Sequence, residues 1–207
     1  NIGSGNLRSM INAFRRIDVD VSEAASADDL ANASIIILPG VGAFGEAMRT
    51  LKQKKLLAAL RQNVLTEGKP LLGICIGMQL LAESSDEHGH HEGLGFIKGH
   101  VHKLDPKDPS FSVPNIGWFD VDVKHSRGMF ATKGEKNSYY FVHSHHFVCD
   151  NSADVSGTID YSGIPVTAAI ECGRIFGLQF HPEKSQSAGL HLLNNFFNTM
   201  KKENYLN

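Results

Sequence analysis

The first half of the chain alternates short apolar runs with stretches in which apolar residues recur every three or four positions. Recurrence at that period predicts amphipathic helices, and short apolar runs predict buried strands. Helices are predicted over 7–17, 28–30 and 46–64. Strands are predicted over 19–21, 35–38 and 71–74. Strands and helices in alternation indicate a parallel sheet with reactive residues at the carboxyl ends of its strands.

From Gly93 onward the pattern changes to short strands separated by turns. These strands are predicted over 96–101, 118–123, 139–142, 155–161, 166–170 and 175–180. The apolar spacing over 185–200 predicts a closing amphipathic helix. We therefore predict an α/β fold with a mostly parallel central sheet, helices on both of its faces and a smaller antiparallel or mixed β portion. A single domain over 1–207 is expected, because no low-complexity linker divides the chain.

The first six residues, N-I-G-S-G-N, predict a glycine-rich turn. Such a turn usually follows another element of structure. We therefore expect an apolar strand before Asn1 that this sequence does not include.

The apolar run over 71–74 ends on Cys75, and a helical pattern begins at Gln79. Cys75 is therefore predicted to lie at a strand-to-helix turn. Gly73 and Gly77 would let the backbone turn sharply and hold the cysteine side chain in a strained, exposed position. The amides at the start of the helix would favour a thiolate, as a nucleophile requires. The alternative is that Cys75 is a small buried core residue, since free cysteine is among the most buried residue types.

A second motif, F-H-P-E at 180–183, favours the nucleophile over the core residue. A catalytic cysteine needs a histidine as base and a third group that orients the histidine. His181 and Glu183 are two positions apart, so in an extended segment their side chains face the same side. The sequence therefore predicts a catalytic group of Cys75, His181 and Glu183.

The strand over 35–38 runs into P-G-V-G at 39–42. Alone, this motif could be a loop at the end of a strand. Beside a reactive cysteine, its backbone N–H groups could face a developing oxyanion. We expect the oxyanion to be bound by the N–H of Ile76 and by that of Val41 or Gly42.

Composition excludes several classes of protein. The formal charge is −2, from 20 Lys and Arg against 22 Asp and Glu, so no basic field indicates nucleic acid binding. Three cysteines without C-x-x-C spacing favour neither a disulfide framework nor structural zinc. No apolar run reaches the ~20 residues of a membrane helix, and no signal peptide is evident. We expect a cytoplasmic protein that needs no cofactor, metal or membrane.

Four stretches resemble the class I, triad-type glutamine amidotransferases, and more closely the glutaminase subunits of imidazole glycerol phosphate synthases. They are G-S-G-N-L-R-S at 3–9, L-P-G-V-G-A-F at 38–44, G-I-C-I-G-M-Q-L-L at 73–81 and G-L-Q-F-H-P-E-K-S at 177–185. The resemblance covers essentially the whole chain and implies the α/β fold of that family. It implies hydrolysis of glutamine to glutamate and ammonia through a cysteine thioester, for histidine biosynthesis.

The resemblance also implies which residues bind glutamine. Gln79, Glu87 and the backbone near Gly40 and Gly42 would contact its α-amino or carboxylate end, as would His143 and Ser144. For Gln79 the alternative is an amide on a helix surface, and Glu87 could belong to a solvated loop over 86–92. The histidines of that loop could bind a metal, but no helix or hairpin is predicted to fix their geometry.

In the resembling family the ammonia passes through a (β/α)8-barrel partner, so the resemblance implies a heterodimer in which the partner activates hydrolysis. Two segments depart from the family pattern. The chain has V-P-N-I-G-W-F at 113–119, where V-P-H-[MI]-G-W-N is usual, and V-H-S-H-H at 142–146, where V-H-S-Y-Y is usual. Such departures would suit a second-copy glutaminase that supplies ammonia to a sugar-modifying pathway. A catalytically silent binding subunit and a cysteine peptidase or amidase are further alternatives.

Overall fold

The strands form where the sequence places its apolar runs. The structure is a computed structural model, and it describes residues 7–126, 128–131, 137–203 and 205. The α-helices are α1 (Leu7–Arg15), α2 (Ala27–Asn32), α3 (Phe44–Gln53), α4 (Leu57–Arg61), α5 (Ile76–Gln79) and α6 (Gln186–Lys202). The β-strands are β1 (Ile36–Gly40), β2 (Leu71–Cys75), β3 (Ser84–Ser85), β4 (His91–Glu92), β5 (Gly99–Lys103), β6 (Asn115–Asp120), β7 (Asp122–Val123), β8 (Ser138–His143), β9 (His145–Cys149), β10 (Val155–Tyr161), β11 (Ile164–Cys172) and β12 (Ile175–Leu178). The glycine-rich turn predicted at 1–6 lies outside the described residues.

The central sheet has six strands in the order β1-β2-β12-β11-β10-β7. Three neighbouring strands at one edge of this sheet are parallel, because β2 pairs in parallel with both β1 and β12. The other half is antiparallel and continues the same sheet through β11, β10 and β7. A mixed sheet, β4-β3-β5-β9, and a two-stranded ribbon, β6-β8, form the smaller β portion. The predicted α/β class is confirmed. Among the described strands the central sheet is mixed rather than mostly parallel, because three of its five pairings are antiparallel.

Helices cover both faces of the sheet, as predicted. Leu72 and Ile74 of β2 pack in one hydrophobic cluster with residues of α1 and α6. Leu71, which points to the opposite face, packs in a second cluster with residues of α2, α3 and α4. Each fully buried Leu or Ile contributes about 1.5–3 kcal/mol of transfer free energy, so β2 is held firmly from both sides. This rigidity fixes the position of Cys75 at the end of β2.

The helix predicted over 46–64 is divided in the structure. α3 ends at Gln53, Lys55 has a positive φ of 56°, and α4 begins at Leu57. A π-helical turn over Gln62–Thr66 follows. The break directs the side chains of Leu56 and Leu60 toward the core, where each residue is at most 5% exposed. The sequence gives no glycine or proline at this break, so helical periodicity alone could not locate it.

The strand predicted at 19–21 is wrong. Val19 and Val21 are partly buried against the core, and they pair with no strand in the described part of the chain. They line an apolar cavity of about 300 Å3 between α1 and the edge of β1. The two valines contribute apolar burial without the ladder hydrogen bonds that a strand requires.

Several strand boundaries shift, and the strands β3, β4 and β9 were not predicted. β9 begins at His145, beyond the end of the strand predicted over 139–142. The segment 84–92 is a hairpin in which β3 pairs with β4, and not a loop. His88 and Gly89 make its turn, with φ of 57° and 114°. Among the described helices, none combines the length and hydropathy that a membrane span requires.

Candidate active site

Cys75 lies at a strand-to-helix turn, as the sequence predicted. β2 ends at Cys75 and α5 begins at Ile76. The strain lies on the cysteine itself, which has φ 55° and ψ −111°. A non-glycine residue adopts such a conformation only where its surroundings enforce it, commonly at a functional site. α5 is a single turn of four residues that ends at Gln79, where the helical pattern was predicted to begin. Its dipole is therefore weaker than that of a longer helix.

The glycines around Cys75 serve close packing and not a left-handed turn. Gly73 and Gly77 both lack a positive φ. A Cβ on Gly77 would lie 1.6 Å from the carbonyl oxygen of Leu38, and one on Gly73 would lie 2.5 Å from the carbonyl oxygen of Gly77. Cys75 is also only 5% exposed, which corrects the expectation of an exposed thiol. The glycines let α5 pack directly on β1 and β2.

His181 and Glu183 converge as predicted, although the segment is not extended throughout. Pro182–Lys184 forms a 3₁₀ turn directly after His181. The Nδ1 of His181 lies 2.9 Å from the Oε1 of Glu183, and both side chains are 3% exposed. Because a carboxylate only accepts, Nδ1–H must donate and Nε2 is left for the cysteine. Within the described residues, that Nε2 has no hydrogen-bond partner.

The environment of His181 favours its charged form. Burial lowers the pKa of His181, but its interactions with the neighbouring Cys75 and with Glu183 outweigh burial and raise this pKa to about 9. A buried histidinium is stable only beside anions. The arrangement therefore suits a thiolate–imidazolium pair.

A cavity of about 320 Å3 opens beside Cys75 and brings most of the predicted site together. The predicted residues that line it are Val41, Gly42, Cys75, Ile76, Gln79, Glu87, His143, Ser144 and His181. Gly40 and Glu183 do not line it. Gly40 is the partner of Cys75 in the β1–β2 register. Glu183 is hydrogen-bonded to the Nδ1 of His181 and does not reach the cavity. Gly42 has a φ of 107°, which L side chains rarely adopt, so this position requires glycine.

Glu87 is fixed by the hairpin and does not belong to a solvated loop. Its Oε2 accepts a hydrogen bond of 2.6 Å from the backbone N–H of Phe44, at the start of α3. Its Oε1 lies 3.4 Å from the Nδ1 of His145, and both side chains are 13% exposed. Burial lowers the pKa of His145, while the charge of Glu87 opposes this shift. The structure places a carboxylate at the wall of the cavity.

His143 is held neutral on the same wall. Burial lowers its pKa to about 4. Its Nδ1–H donates to the carbonyl oxygen of His145 at 2.9 Å, and its Nε2 therefore accepts from the Nδ2 of Asn115 at 3.1 Å. The His145 carbonyl fixes the tautomer of His143, and Asn115, one of the departures from the family pattern, donates to the other ring nitrogen.

Gln179 and Ser185 also lie in the hydrogen-bond network of the site, although no sequence pattern indicated a role for either. Gln79 Nε2 donates to Gln179 Oε1 at 2.9 Å, and Gln79 is only 3% exposed, so it is not a surface amide. Ser185 Oγ donates to the carbonyl oxygen of His181 at 2.6 Å and accepts from the N–H of Tyr140 at 2.9 Å. Gln179 is two positions before His181, and this spacing could have placed it on the same side of the strand.

The described residues contain no group of three or more His, Cys, Asp or Glu side chains that could hold a metal ion. What the site presents is a buried thiol, a histidine paired with a carboxylate, and a polar cavity beside them. This set of groups suits nucleophilic attack on a small acyl compound, with a covalent thioester intermediate.

A cysteine on a strand-to-helix turn of an α/β sheet, with a His–Glu pair from a neighbouring strand end, is typical of triad-type amidotransferases. The family model "Glutamine amidotransferase class-I" matches residues 2–200. The chain belongs to this family and is a glutamine amidotransferase. The resemblance stated from the sequence is thereby confirmed.

The similar proteins are more specific. The chain is 43% identical over 198 residues to imidazole glycerol phosphate synthase subunit HisH of Zymomonas mobilis, covering 94% of this chain and 91% of that protein. It is 42% identical over 199 residues to imidazole glycerol phosphate synthase subunit HisH 2 of Nitrobacter winogradskyi, covering 94% and 93%. The structure of PurLQS from Thermotoga maritima is similar with a TM-score of 0.71 and 21% identity, over 96% of this chain and 95% of that one. At that identity the likeness concerns the fold alone.

Proposed function

We propose that this chain is the glutaminase subunit of an imidazole glycerol phosphate synthase, which supplies ammonia for histidine biosynthesis. The observation that carries the proposal is the meeting of Cys75, His181 and Glu183 at one cavity, in a chain 43% identical to the HisH subunit of Zymomonas mobilis. We take residues 1–207 as one domain. Three free cysteines support action in the reducing cytoplasm.

Glutamine would react in two steps. His181 takes the thiol proton, and the Cys75 sulfur attacks the side-chain amide carbon. As the C–N bond breaks, His181 returns the proton to the leaving nitrogen, so that ammonia and a γ-glutamyl thioester are formed. His181 then takes a proton from water, the resulting hydroxide attacks the thioester, and the C–S bond breaks to release glutamate. Glu183 stabilises the imidazolium and fixes its tautomer throughout.

Both steps pass through an oxyanion. The N–H of Ile76 and that of Val41 or Gly42 would bind it, since these residues line the cavity beside Cys75. Each such donor is worth about 3 kcal/mol of the barrier when it is aligned. Reorientation of a peptide within 39–42 upon docking of the partner would give the partner control over hydrolysis.

The amino-acid end of glutamine would bind along the wall formed by the hairpin and β8. The Glu87 carboxylate suits the α-ammonium group of glutamine. Gln79, Ser144 and the backbone of Val41 and Gly42 offer hydrogen bonds to its α-ammonium or α-carboxylate group. Gly40, which the resemblance also implied, lies outside the cavity. His143 is neutral, and the hydrogen bond from its Nδ1–H to the His145 carbonyl fixes the position of this wall.

Ammonia released into water would be protonated and lost, so a synthase subunit is expected to dock over the cavity. We propose a (β/α)8-barrel partner. An apolar ribbon face, formed by Ile116, Trp118 and Tyr140, supports docking there. Ile116 is 57% exposed and Trp118 is 46% exposed, and Trp118 stacks edge-on with Tyr140 at 6.0 Å between ring centroids. Pro114, directly before this ribbon, lines the cavity, so a protein on this face would lie beside the site.

The test is glutamate formation from glutamine by the wild-type chain and by Cys75→Ala, each alone and with the barrel subunit from the same source and its substrate. The proposal expects turnover that requires Cys75 and rises at least tenfold with the partner. Cysteine-dependent turnover that ignores the partner would keep the chemistry and favour a second-copy glutaminase, which the departures at Asn115 and His145 would suit. Absence of turnover in every mixture would favour a silent binding subunit.

A further inference from the structure

Gln179 lies next to the reacting sulfur and has no part in the mechanism above. It is completely buried, at 0% exposure, and its backbone N–H donates to the carbonyl oxygen of Ala168 at 2.9 Å. Its side-chain Nε2 lies 3.8 Å from the Sγ of Cys75. A buried amide at this point must have a use for its donors, because unsatisfied buried N–H groups are costly.

The direction of the Gln179 amide is fixed by its neighbours. The carbonyl oxygen of His145 can only accept, so the group of Gln79 that lies 2.9 Å from it is the NH₂. The same NH₂ lies 2.9 Å from the Oε1 of Gln179 and donates to it. With its oxygen occupied in this way, Gln179 must direct its own NH₂ toward Cys75.

We propose that Gln179 is a positioning residue that donates an amide N–H to the Cys75 sulfur, stabilises its thiolate and holds the sulfur in place for attack. Gln79 and the His145 carbonyl set the direction of this donor. The inference rests on the proposed role of Cys75 as nucleophile, and it adds a second stabilising group beside His181.

The need for such a donor follows from burial. Cys75 is 5% exposed, so its anion has little access to water. As a thiol it can donate to the carbonyl oxygen of Val142, 3.9 Å away, but a thiolate can only accept. His181 gives up its proton during each cycle, whereas an amide stays neutral and keeps its donor at every pH. Hydrogen bonds to an ion are also shorter and stronger than those to a neutral group.

The experiment is alkylation of Cys75 by iodoacetamide without glutamine, measured as a function of pH. The thiolate displaces iodide, so the rate reports the anion. Two variants remove the donor: Gln179→Met keeps the length of the side chain, and Gln179→Glu replaces the donor with an acceptor. In both we expect an alkylation midpoint about one pH unit higher and a rate at pH 7 about tenfold lower. Gln53→Met changes an exposed amide on α3 and is the matched control.

Peptide mass spectrometry separates Cys75 from the other two cysteines. Burial raises the pKa of Cys149 to about 12 and also raises that of Cys172, so both should react slowly at neutral pH. An unchanged alkylation midpoint in folded Gln179→Met and Gln179→Glu overturns the inference. Failure of the proposed function would appear in the turnover assay instead, either as turnover that Cys75→Ala retains or as no turnover in any mixture.

A measurement on the wild-type chain keeps the inference testable if both variants unfold. In a chain labelled with ¹⁵N-glutamine, one side-chain N–H resonance of Gln179 should move as Cys75 ionises. The movement should be absent in Cys75→Ser over the range in which only the thiol ionises. A Gln179 resonance that does not respond to pH in the wild-type chain contradicts the inference.

Discussion

The side chains of His181 and Glu183 are each 3% exposed, so their charges are set by each other and by Cys75 and not by solvent. The same holds on the opposite wall, where His143 is neutral because it is buried and hydrogen-bonded on both nitrogens. Two histidines within one cavity therefore have pKa values of about 9 and about 4. Local contacts therefore give the two histidines different pKa values, which suit His181 to proton transfer and His143 to orienting its neighbours.

The stability of the protein should record the raised pKa of His181. The folded value, about 9, exceeds the ordinary value of 6.5, so the folded state binds the proton more tightly. Its contribution is fully present below pH 6.5 and is lost as the pH rises toward 9, with a change of about 3 kcal/mol in the free energy of unfolding. Urea unfolding of the wild type and of His181→Asn at pH 6 and pH 9.5 measures this.

In His181→Asn the free energy of unfolding should fall less between pH 6 and pH 9.5 than in the wild type, by about 3 kcal/mol. His125, an exposed histidine far along the chain, gives the control variant His125→Asn, which should follow the wild type. Parallel curves for the wild type and His181→Asn would contradict the raised pKa.

Glu87 should affect binding more than chemistry. Glu87→Gln removes the negative charge but keeps the shape of the side chain, so the α-ammonium group of glutamine loses its counter-ion. We expect the KM for glutamine to rise about tenfold to a hundredfold with kcat changed less than threefold. Steady-state kinetics measure both. Glu92→Gln alters an exposed carboxylate on the same hairpin and should leave KM unchanged, and an equal effect of the two substitutions would argue against the assignment.

At the level of elements, the short helix α5 is fixed by contacts between backbones. The position of Gly77 against the carbonyl of Leu38 sets how closely α5 approaches β1. Sequence patterns predicted the turn at Cys75 but gave the wrong reason for its glycines, because close approach between distant segments leaves no local signal. The break in the helix over 46–64 escaped prediction for a similar reason, since burial of Leu56 and Leu60 decides it.

Gly77→Ala should test this packing. The new Cβ would lie 1.6 Å from a backbone oxygen, so β1 or α5 must move, with a cost of about 1–3 kcal/mol or more in the free energy of unfolding. Turnover should fall with it, because Cys75 and the backbone of 39–42 would separate. Gly45→Ala is the matched control: its nearest atoms belong to the His91 ring, at 2.6 Å, and a side chain can rotate away. Urea unfolding should therefore give Gly45→Ala a free energy of unfolding close to that of the wild type, and glutaminase assays should give it a similar turnover.

At the level of the whole molecule, the sheet brings segments far apart in sequence to one edge. Cys75 ends β2, the P-G-V-G motif follows β1, and His181 follows β12, and these three strands are parallel neighbours. The antiparallel ribbon β6-β8 supplies the opposite wall and, on its outer side, the exposed Trp118. The fold thus places the site and an apolar surface side by side.

The ribbon face should matter only when the partner is present. Trp118→Ala should raise the Kd for the barrel subunit about tenfold or more, because a large exposed aromatic residue is typical of an interface hot spot. Turnover by the isolated chain should be unchanged. Leu65→Ala, at a second exposed apolar residue, 51% exposed, is the control. The Kd of each variant is measured by titrating the chain with the partner and following the rise in turnover. Equal Kd values for Trp118→Ala and the wild type would exclude this face as the docking surface.

By itself the sequence determined the α/β class, most strands, the amphipathic helices α1 and α6, and the placement of His181 and Glu183 on one side of the chain. These follow from hydrophobic periodicity and from side chains two positions apart, which are properties of local sequence. Only the tertiary structure decided that Cys75 is buried, that Gln179 directs an amide at its sulfur, and that Val19 and Val21 form no strand. Each of these depends on contacts between segments far apart in the chain, which local pattern does not encode.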